Sequence, residues 1–263
     1  MAALRSTNFE DYQAVPRPLA VMARSYPAGF VGETHSHPRA QFLYAISGVM
    51  RAEAVDMMFV IPPDRALWIP PGTLHRVETR GVVEMRTIYL APAAIGELPR
   101  SCCVMIATAL LRQLILAALE EPVEYDEDAR GGLIARLVLD ELARLPATPL
   151  GVPMPRGKRL KSACEMLIAD PASSLGLEAL AREAGASPRT LAREFAAETG
   201  LSFTAWRSRL RLSEASALIA EGLAVGEVAR RCGYGSPSAF TAMMRRTLGA
   251  APRELGRQAA ASG

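Results

Sequence analysis

The hydrophobic positions of the chain follow two different periods. From about Val15 to Leu90, short apolar runs rich in β-branched and aromatic residues alternate with polar positions and are bounded by Pro and Gly. Because no helix-length stretch interrupts these runs, the pattern predicts an all-β sandwich or barrel. Beyond Pro99 the hydrophobic pattern changes. Two stretches there are rich in Leu, Ala and Ile, and they predict two helices, Cys103–Leu119 and Asp128–Ala143.

A proline-rich stretch, Leu145–Gly157, follows the predicted helices and is typical of a linker. After Arg159, short helical segments are punctuated by Gly and by Ser-Pro. The pattern therefore predicts an α+β multidomain protein with four parts. They are a β-barrel over residues 1–98, a helical pair over 99–145, a linker over 146–158 and an all-α domain over 159–257.

The all-α part contains an internal repeat. In each copy an apolar helix ends at a glycine, Gly185 or Gly233, and a serine, Ser187 or Ser236, then stands directly before a proline. Glycine commonly ends helices, serine caps their start, and proline favours the first helical position. The repeat therefore predicts two helix-turn-helix units.

Charge is divided unevenly along the 263 residues, although the formal net charge is only +3. Residues 1–150 carry 14 Lys and Arg against 17 Asp and Glu, whereas residues 151–263 carry 16 against 10. The basic second half indicates an anionic partner. No apolar run has the length of a membrane span and the N-terminal residues lack the layout of a secretory signal, so we expect a cytoplasmic protein without a membrane partner.

Residues 159–255 resemble the tandem helix-turn-helix domain of AraC/XylS-family transcription regulators. The matching stretches are Leu177–Gly200, Trp206–Leu212, Val225–Phe240 and Arg245–Pro252. The resemblance implies a regulator, not an enzyme, that binds a double-stranded DNA operator by its sequence. It also brings RNA polymerase into consideration as a further partner.

The second helix of each unit can lie in the major groove of DNA and present the residues after its cap to the bases. The outward-facing candidates in the first unit are Arg189, Thr190, Ala192 and Arg193. Arginine bonds guanine bidentately, so Arg189 and Arg193 are expected to read bases. The second unit has shorter side chains and is expected to contact mainly phosphates and sugars. Its candidates are Ser236, Ser238, Thr241, Ala242, Arg245 and Arg246.

Three further arginines, Arg207, Arg209 and Arg211, follow Trp206 in the segment that joins the two units. Contact with DNA phosphates and pairing within the protein are equally compatible with their positions. The Gly233–Gly235 segment is expected to set and pack the turn of the second unit without touching DNA.

The histidines are few and clustered: the chain has three, at positions 35, 37 and 75. The spacing of Gly29, His35, His37, Gln41 and Gly48 resembles the first motif of cupins, with Gln in place of the usual Glu. The resemblance implies a cupin-like sensor barrel.

The core of the second cupin motif is matched by Pro70, Gly72 and His75, whereas Asp64 and Thr79 replace its usual Gly and Asn. The surrounding segment, residues 65–75, also resembles the sensor domain of many AraC-family regulators.

Residues two and four apart share one face of a strand, so His35, His37 and Gln41 can point into one barrel, with His75 entering from an adjoining strand. Three imidazoles and an amide oxygen suit a divalent transition metal such as Zn, Ni, Co or Fe. Replacing Glu by Gln is expected to weaken binding and to disfavour redox turnover. The alternative is an organic-effector pocket without metal. Further candidates for lining that pocket are Tyr44, Trp68 and Met85.

The two predicted helices carry more apolar surface than one barrel face needs. This region commonly mediates dimerisation in AraC-like regulators, so the resemblance implies a homodimer, and packing on the barrel is the alternative. Cys102 and Cys103 are expected to open the first helix as buried thiols.

Small-molecule or metal binding is then expected to bias the dimer geometry and the DNA domains. Two rival functions stay open: a metal-dependent cupin enzyme fused to a DNA-binding domain, and a DNA-binding scaffold that senses nothing.

Overall fold

The computed structural model describes residues 5–63, 65–148 and 150–248, without the side chains of the last three. Contacts between residues divide this described chain into two compact units. The first unit comprises residues 5–55 and 61–148, and the second comprises residues 56–60 and 150–248. The segment 56–60, which the hydrophobic pattern assigns to the barrel, thus groups with the second unit.

The secondary structure of the described residues consists of eight strands, eight α-helices and two short 3₁₀ helices. The strands are β1 (Leu19–Tyr26), β2 (Ala40–Ala54), β3 (Met57–Ile61), β4 (Arg65–Ile69), β5 (His75–Leu90), β6 (Cys103–Ile106), β7 (Ala147–Thr148) and β8 (Val152–Pro153). The α-helices are α1 (Ala109–Glu120), α2 (Arg130–Arg144), α3 (Lys158–Ala169), α4 (Leu177–Glu183), α5 (Pro188–Thr199), α6 (Phe203–Ala220), α7 (Val225–Arg231) and α8 (Pro237–Leu248). The 3₁₀ helices are Phe9–Tyr12 and Pro92–Ala94. In the part of the chain that is described, no helix combines the length and the apolarity that crossing a membrane requires.

The first unit is built on an antiparallel sheet with the strand order β1-β5-β2-β4-β6-β7. The two longest strands, β2 and β5, pair from Ala40 opposite Leu90 to Ala54 opposite His75. This ribbon carries Gln41 near one end of β2 and places His75 at the start of β5.

Helices α1 and α2 cover one face of this sheet. Phe42 and Tyr44 from β2 share one buried cluster with Leu111 of α1 and Val138 of α2. Side chains alternate across a strand, so the residues between Phe42 and Tyr44 point to the opposite face. A sheet domain followed by a helical domain confirms the predicted α+β class.

The predicted helix Cys103–Leu119 is wrong in its first part. Cys103–Ile106 forms strand β6, which pairs with β4, and α1 starts only after Thr108, whose side chain caps its first turn. A short apolar run with β-branched residues beside an open sheet edge favours pairing with that edge over a helical turn. Cys102 and Cys103 therefore do not open a helix.

The predicted linker Leu145–Gly157 also contains paired strands. Strand β7 pairs with β6 in the first unit, and β8 pairs with Met57 and Met58 of β3 in the second unit. The four paired residues are Ala147, Thr148, Val152 and Pro153, and Val152 is fully buried. Parts of this stretch are therefore held by strand pairing rather than left as a free tether.

The second unit contains the two predicted helix-turn-helix units, α4–α5 and α7–α8, joined by α6. Gly185 and Gly233 end the first helix of each unit with positive φ angles of 62° and 71°. The Ser187 and Ser236 hydroxyls each accept a hydrogen bond from the first turn of the following helix, at 3.1 and 3.2 Å. The prediction of a repeated helix-turn-helix is confirmed.

Gly48 lies where the register of β2 against β5 shifts. Its φ angle is 81°, and an added Cβ would collide with the Val82 carbonyl and the Val83 side chain. Gly81 has a similar φ angle of 71°, but a Cβ there would meet open space. A side chain at Gly81 would therefore meet only the backbone strain of a positive φ, whereas one at Gly48 would meet the same strain and a steric collision.

We expect Gly81→Ala to cost about 1 kcal/mol of stability, because only the left-handed backbone is penalised. Gly48→Ala should cost roughly 3 kcal/mol, because the collision adds to the same strain. Thermal unfolding of the full chain, followed by circular dichroism, measures both. Equal shifts of Tm in the two variants would contradict the close approach at Gly48.

Candidate functional site

Three histidines converge where the segment before β2 pairs with the first residue of β5. His35 and His75 form an antiparallel bridge, in which each backbone N–H donates to the other carbonyl at 3.0 and 2.9 Å. The His37 ring lies 5.1 Å from the His75 ring, centre to centre, and the candidate ligand nitrogens all lie within 4.8 Å of one another. Gln41 is on β2, whereas His35 and His37 precede that strand, so the prediction of one shared strand is wrong although the side chains do meet.

Each imidazole is oriented by a backbone carbonyl. His35 Nδ1 lies 3.0 Å from the Glu33 carbonyl oxygen, His37 Nδ1 lies 2.6 Å from that of Arg39, and a matching contact of 2.9 Å orients His75. A carbonyl only accepts, so each Nδ1 carries the proton and each Nε2 is left with a free lone pair. This arrangement is characteristic of histidines that bind metals through Nε2.

One lone pair at the site has no hydrogen-bond donor to accept from among the described residues. His75 is 1% exposed, and its Nε2 is buried without a hydrogen-bond partner in that part of the chain. The Gln41 Oε1 atom lies 3.2 Å from His37 Nε2, so the amide belongs to the same cluster of candidate ligands. A cluster of imidazoles that includes a buried nitrogen without a partner fits a metal ion.

Burial also keeps two of the imidazoles, those of His37 and His75, neutral. It lowers the pKa of His75 to about 4, and it lowers the pKa of His37 from its ordinary value. Both rings are therefore in the deprotonated form that binds metals at neutral pH. The Phe9 ring packs on His35 with 4.6 Å between ring centres.

A cavity of about 500 Å³ adjoins the histidines. His35, Gln41 and His75 form part of its wall, and Met85 and Leu43 contribute apolar surface. The site thus combines nitrogen and oxygen donors with a chamber large enough for a small organic molecule.

Two of the three predicted lining residues do not reach this cavity. Tyr44 and Trp68 lie in the buried cluster under α1 and α2, and Trp68 donates its indole N–H to the Pro99 carbonyl at 2.6 Å. Strand alternation explains the difference, because Leu43 rather than Tyr44 points into the cavity. Only Met85 lines it as expected.

Two residues at this site, Tyr89 and Arg39, were not among those predicted from the sequence. Tyr89 lies four residues after Met85 on β5, so the shared strand face was the available signal; its hydroxyl lies 3.3 Å from Gln41 Nε2. The buried Arg39 guanidinium donates to the carbonyls of Val15 and, at 3.0 Å, Arg17. No local pattern could have indicated these long-range contacts.

The candidate base-reading residues of α5 occupy different environments. Arg189 and Arg193 are exposed, and neither forms a salt bridge with a described residue. Thr190 shares a hydrogen bond of 2.9 Å with the capping Ser187 hydroxyl, and Ala192 is half-buried. The two arginines are thus the long side chains that this helix offers to a partner.

The candidates on α8 are partly occupied by the helix itself. Ser236 caps its first turn, and the Thr241 hydroxyl donates to the Pro237 carbonyl at 2.8 Å. The exposed candidates are Ser238, Ala242 and Arg245. The side chain of Arg246 lies outside the described residues.

The arginines of α6 pair within the second unit. Arg207 donates to the Leu175 carbonyl at 2.8 Å, Arg211 to that of Pro171 at 3.0 Å, and Arg209 to that of Gly151 at 3.4 Å. Of the two readings left open for these residues, the intramolecular one matches the contacts.

Comparison with known proteins assigns both parts of the chain. Residues 20–194 match the AraC-like ligand binding domain, and residues 180–258 match a helix-turn-helix domain. The chain is 29% identical over 218 residues to the HTH-type transcriptional regulator NimR of Escherichia coli K12, covering 83% of this chain and 80% of that protein.

Two further similarities concern shorter regions. Over 119 residues the chain is 38% identical to the HTH-type transcriptional regulator RipA of Corynebacterium glutamicum, covering 45% of this chain and 34% of that protein. Among solved structures, the DNA-binding domain of AdpA in complex with a target DNA is 30% identical, covering 40% of this chain and 96% of that one, with a TM-score of 0.38.

Proposed function

Because the chain belongs to the AraC family of DNA-binding transcriptional regulators with a ligand-binding N-terminal domain, we propose that it responds to a divalent metal and a small molecule. The metal is held by His35, His37, His75 and Gln41, and the small molecule occupies the adjoining cavity. The observation that carries this proposal is the convergence of three carbonyl-oriented histidines, one with a buried Nε2 that has no partner in the described structure.

The donor set narrows the choice of metal. Imidazole nitrogens with one neutral oxygen suit Zn, Ni, Co or Fe, and a bound ion would act as a Lewis acid toward an oxygen or nitrogen of the effector. The protein orients the imidazoles through the carbonyls of Glu33, Arg39 and Thr73. Gln41 adds no negative charge, which favours reversible binding.

The cavity sets the class of small molecule. Its volume of about 500 Å³ lies within the range of small-molecule pockets, roughly 300–1,000 Å³. Met22, Leu43 and Met85 give it apolar walls, and Arg24 and Tyr26 add polar groups at its lining. A compact, mostly apolar effector with one polar end fits this chemistry.

A homodimer formed through the helical pair fits the exposed leucines of α2. Leu133 is 56% exposed and Leu137 is 51% exposed, and residues four apart share one helix face. Ile134, Val138 and Leu142 face the core instead. The helix is thus apolar on two sides, of which only one is covered by the residues that the structure describes.

Effector binding regulates DNA binding by favouring one of two dimer arrangements. Such a shift is limited by the difference in the effector's affinity for the two states. On the DNA side, Arg189 and Arg193 of α5 read bases, and α8 mainly contacts the backbone. The relatives named as transcriptional regulators support a sensor rather than a fused enzyme, and turnover of a substrate with Fe(II) and dioxygen would contradict this.

The metal proposal is tested by calorimetric titration of the full chain with Zn²⁺, Ni²⁺ and Co²⁺. We expect the His35→Ala, His37→Ala double variant to bind on the order of 100-fold more weakly or worse, because two of four ligands are lost. Cys102→Ser with Cys103→Ser is the control, since thiols also bind these metals, and it should bind like the wild type. Equal affinity in wild type and histidine variant would refute the site.

Base reading by α5 is tested on a duplex selected by the wild-type protein from a random-sequence library. Arg189→Ala should cost about 1–3 kcal/mol and relax the preference at one base pair. Arg245→Ala should weaken binding equally for all sequences and lower the salt dependence by about one counterion. Anisotropy titrations with single-base variants measure this, and a sequence-independent loss in Arg189→Ala would contradict base reading.

Dimerisation through α2 is tested by sedimentation of the full chain. Replacing Leu133 and Leu137 by Gln should weaken the dimer about 100-fold, because four leucines, two from each protomer, no longer bury apolar surface, a loss of roughly 3 kcal/mol. Val82→Gln, at a sheet position that is 63% exposed, is the matched control. A dimer that is unaffected by the double substitution would rule out this interface.

A further inference from the structure

A second cavity, of about 410 Å³, lies wholly within the second unit. Its walls come from the loop between α3 and α4, from the first half of α6 and, at Gly233, from the turn of the second helix-turn-helix. None of the α5 and α8 residues predicted to contact DNA lines it, whereas Arg207 and Arg211, for which contact with DNA phosphates was one of two readings, both do.

Two arginines of α6, Arg207 and Arg211, line this cavity one helical turn apart. Arg207 donates to the carbonyls of Leu175, at 2.8 Å, and Ser173. Arg211 donates to the Pro171 carbonyl at 3.0 Å. Within residues 5–248 as described, neither guanidinium forms a salt bridge with a carboxylate. Carbonyls carry only partial charges, so both positive charges lack a full counter-charge.

The surroundings of Arg207 are unfavourable for a cation. Burial lowers its pKa, and the neighbouring Arg211 charge lowers it further, while Asp170 offsets part of this without reaching salt-bridge distance. The Nε–H of Arg207 is buried and finds no acceptor in the described structure. An anion in the cavity would supply both the missing acceptor and the missing charge.

Hydroxyl groups complete the lining. Thr204 and Ser208 lie one turn apart on the cavity side of α6, and Ser174 faces them from the α3–α4 loop. Hydroxyl donors beside paired guanidinium groups suit the three oxygens of a phosphate. The lining is therefore rich in donors and carries two positive charges.

We propose that this cavity binds a phosphate group. Two sources supply this chemistry: a backbone phosphate of the DNA, and a free phosphate-bearing small molecule. The proposal is independent of the metal and effector sites of the first unit.

Binding here would act on both helix-turn-helix units. Arg211 lies against the Tyr234 ring, 5.4 Å from its centre, and an added Cβ at Gly233 would meet both Arg211 and Ala172. The guanidinium thus touches the loop before α4 and the turn before α8. A phosphate that holds Arg211 in this position would stiffen the connection between the two units.

The test introduces a carboxylate into the cavity without removing either arginine. Ser208→Glu supplies an internal anion, and Ser208→Gln has the same size without the charge, so their difference isolates electrostatics. Ala205→Glu adds the same charge to an exposed position of α6 outside the cavity. If Ser208→Glu does not fold by circular dichroism, Thr204→Glu, at an exposed position of the lining, replaces it.

The first measurement is the salt dependence of binding to a library-selected duplex and to a scrambled one. If DNA supplies the phosphate, Ser208→Glu binds both duplexes roughly tenfold more weakly than Ser208→Gln, and its salt slope is lower by about one. Ala205→Glu should not lower the slope in this way.

The second measurement is thermal unfolding of the full chain with pyrophosphate, against sodium chloride of equal ionic strength. If a free anion is the ligand, pyrophosphate raises the Tm of the wild type and of Ser208→Gln but not of Ser208→Glu, because only a folded, empty site is stabilised by ligand. The proposal is overturned if Ser208→Glu and Ser208→Gln behave alike in both measurements.

Discussion

A pair of backbone hydrogen bonds between His35 and His75 is the contact on which the candidate metal site depends. These bonds, 3.0 and 2.9 Å long, join an extended segment before β2 to the first residue of β5. They bring together imidazoles that are forty residues apart in the chain. The carbonyls of Glu33 and Thr73, each two residues before a histidine, then fix the two rings. The imidazole rings are therefore oriented mainly by backbone carbonyls that lie close to them in the chain.

Local signals allowed much of this structure to be predicted. The Gly185 and Gly233 helix ends and the Ser187 and Ser236 caps act within a few residues, so the repeated helix-turn-helix could be recognised from its sequence alone. The meeting of the histidines could be predicted because their spacing resembles a known motif. Where the determining contact is distant, prediction failed: Cys103 joined a sheet edge formed by residues far away in the chain.

Distant contacts also decide which residues line the cavity, so these could not all be predicted from the sequence. Tyr44 and Leu43 are adjacent and both apolar enough to line it, and only the helices packed on one sheet face decide which of them does. Arg39 stands next to the histidines in sequence, but its partners lie in the segment before β1. The position of an aromatic or charged residue near a motif thus predicts that its backbone lies close to the site. The direction of its side chain is decided by tertiary packing.

The basic charge of the second unit divides into two groups. Arg207, Arg209 and Arg211 are held by backbone carbonyls, and Arg230 and Arg231 both pair with a single carboxylate, that of Glu227. Fewer cations are therefore available to a partner than the sequence total implies. Net charge indicated the class of partner correctly, but it does not distinguish the arginines engaged within the unit from those that are free to contact DNA.

The hydroxyl bonds of α8 have a consequence for the genome that this regulator scans. Thr241 donates its hydroxyl to the Pro237 carbonyl of its own helix, and the Ser236 hydroxyl oxygen accepts from the Ala239 N–H, so both hydroxyl groups are engaged within the helix. Base changes under this helix would then carry little penalty, and binding sites could drift in that half while the half under α5 stays fixed. A promoter search that demands two equal half-sites would overlook such operators, whereas a one-sided pattern would recover them.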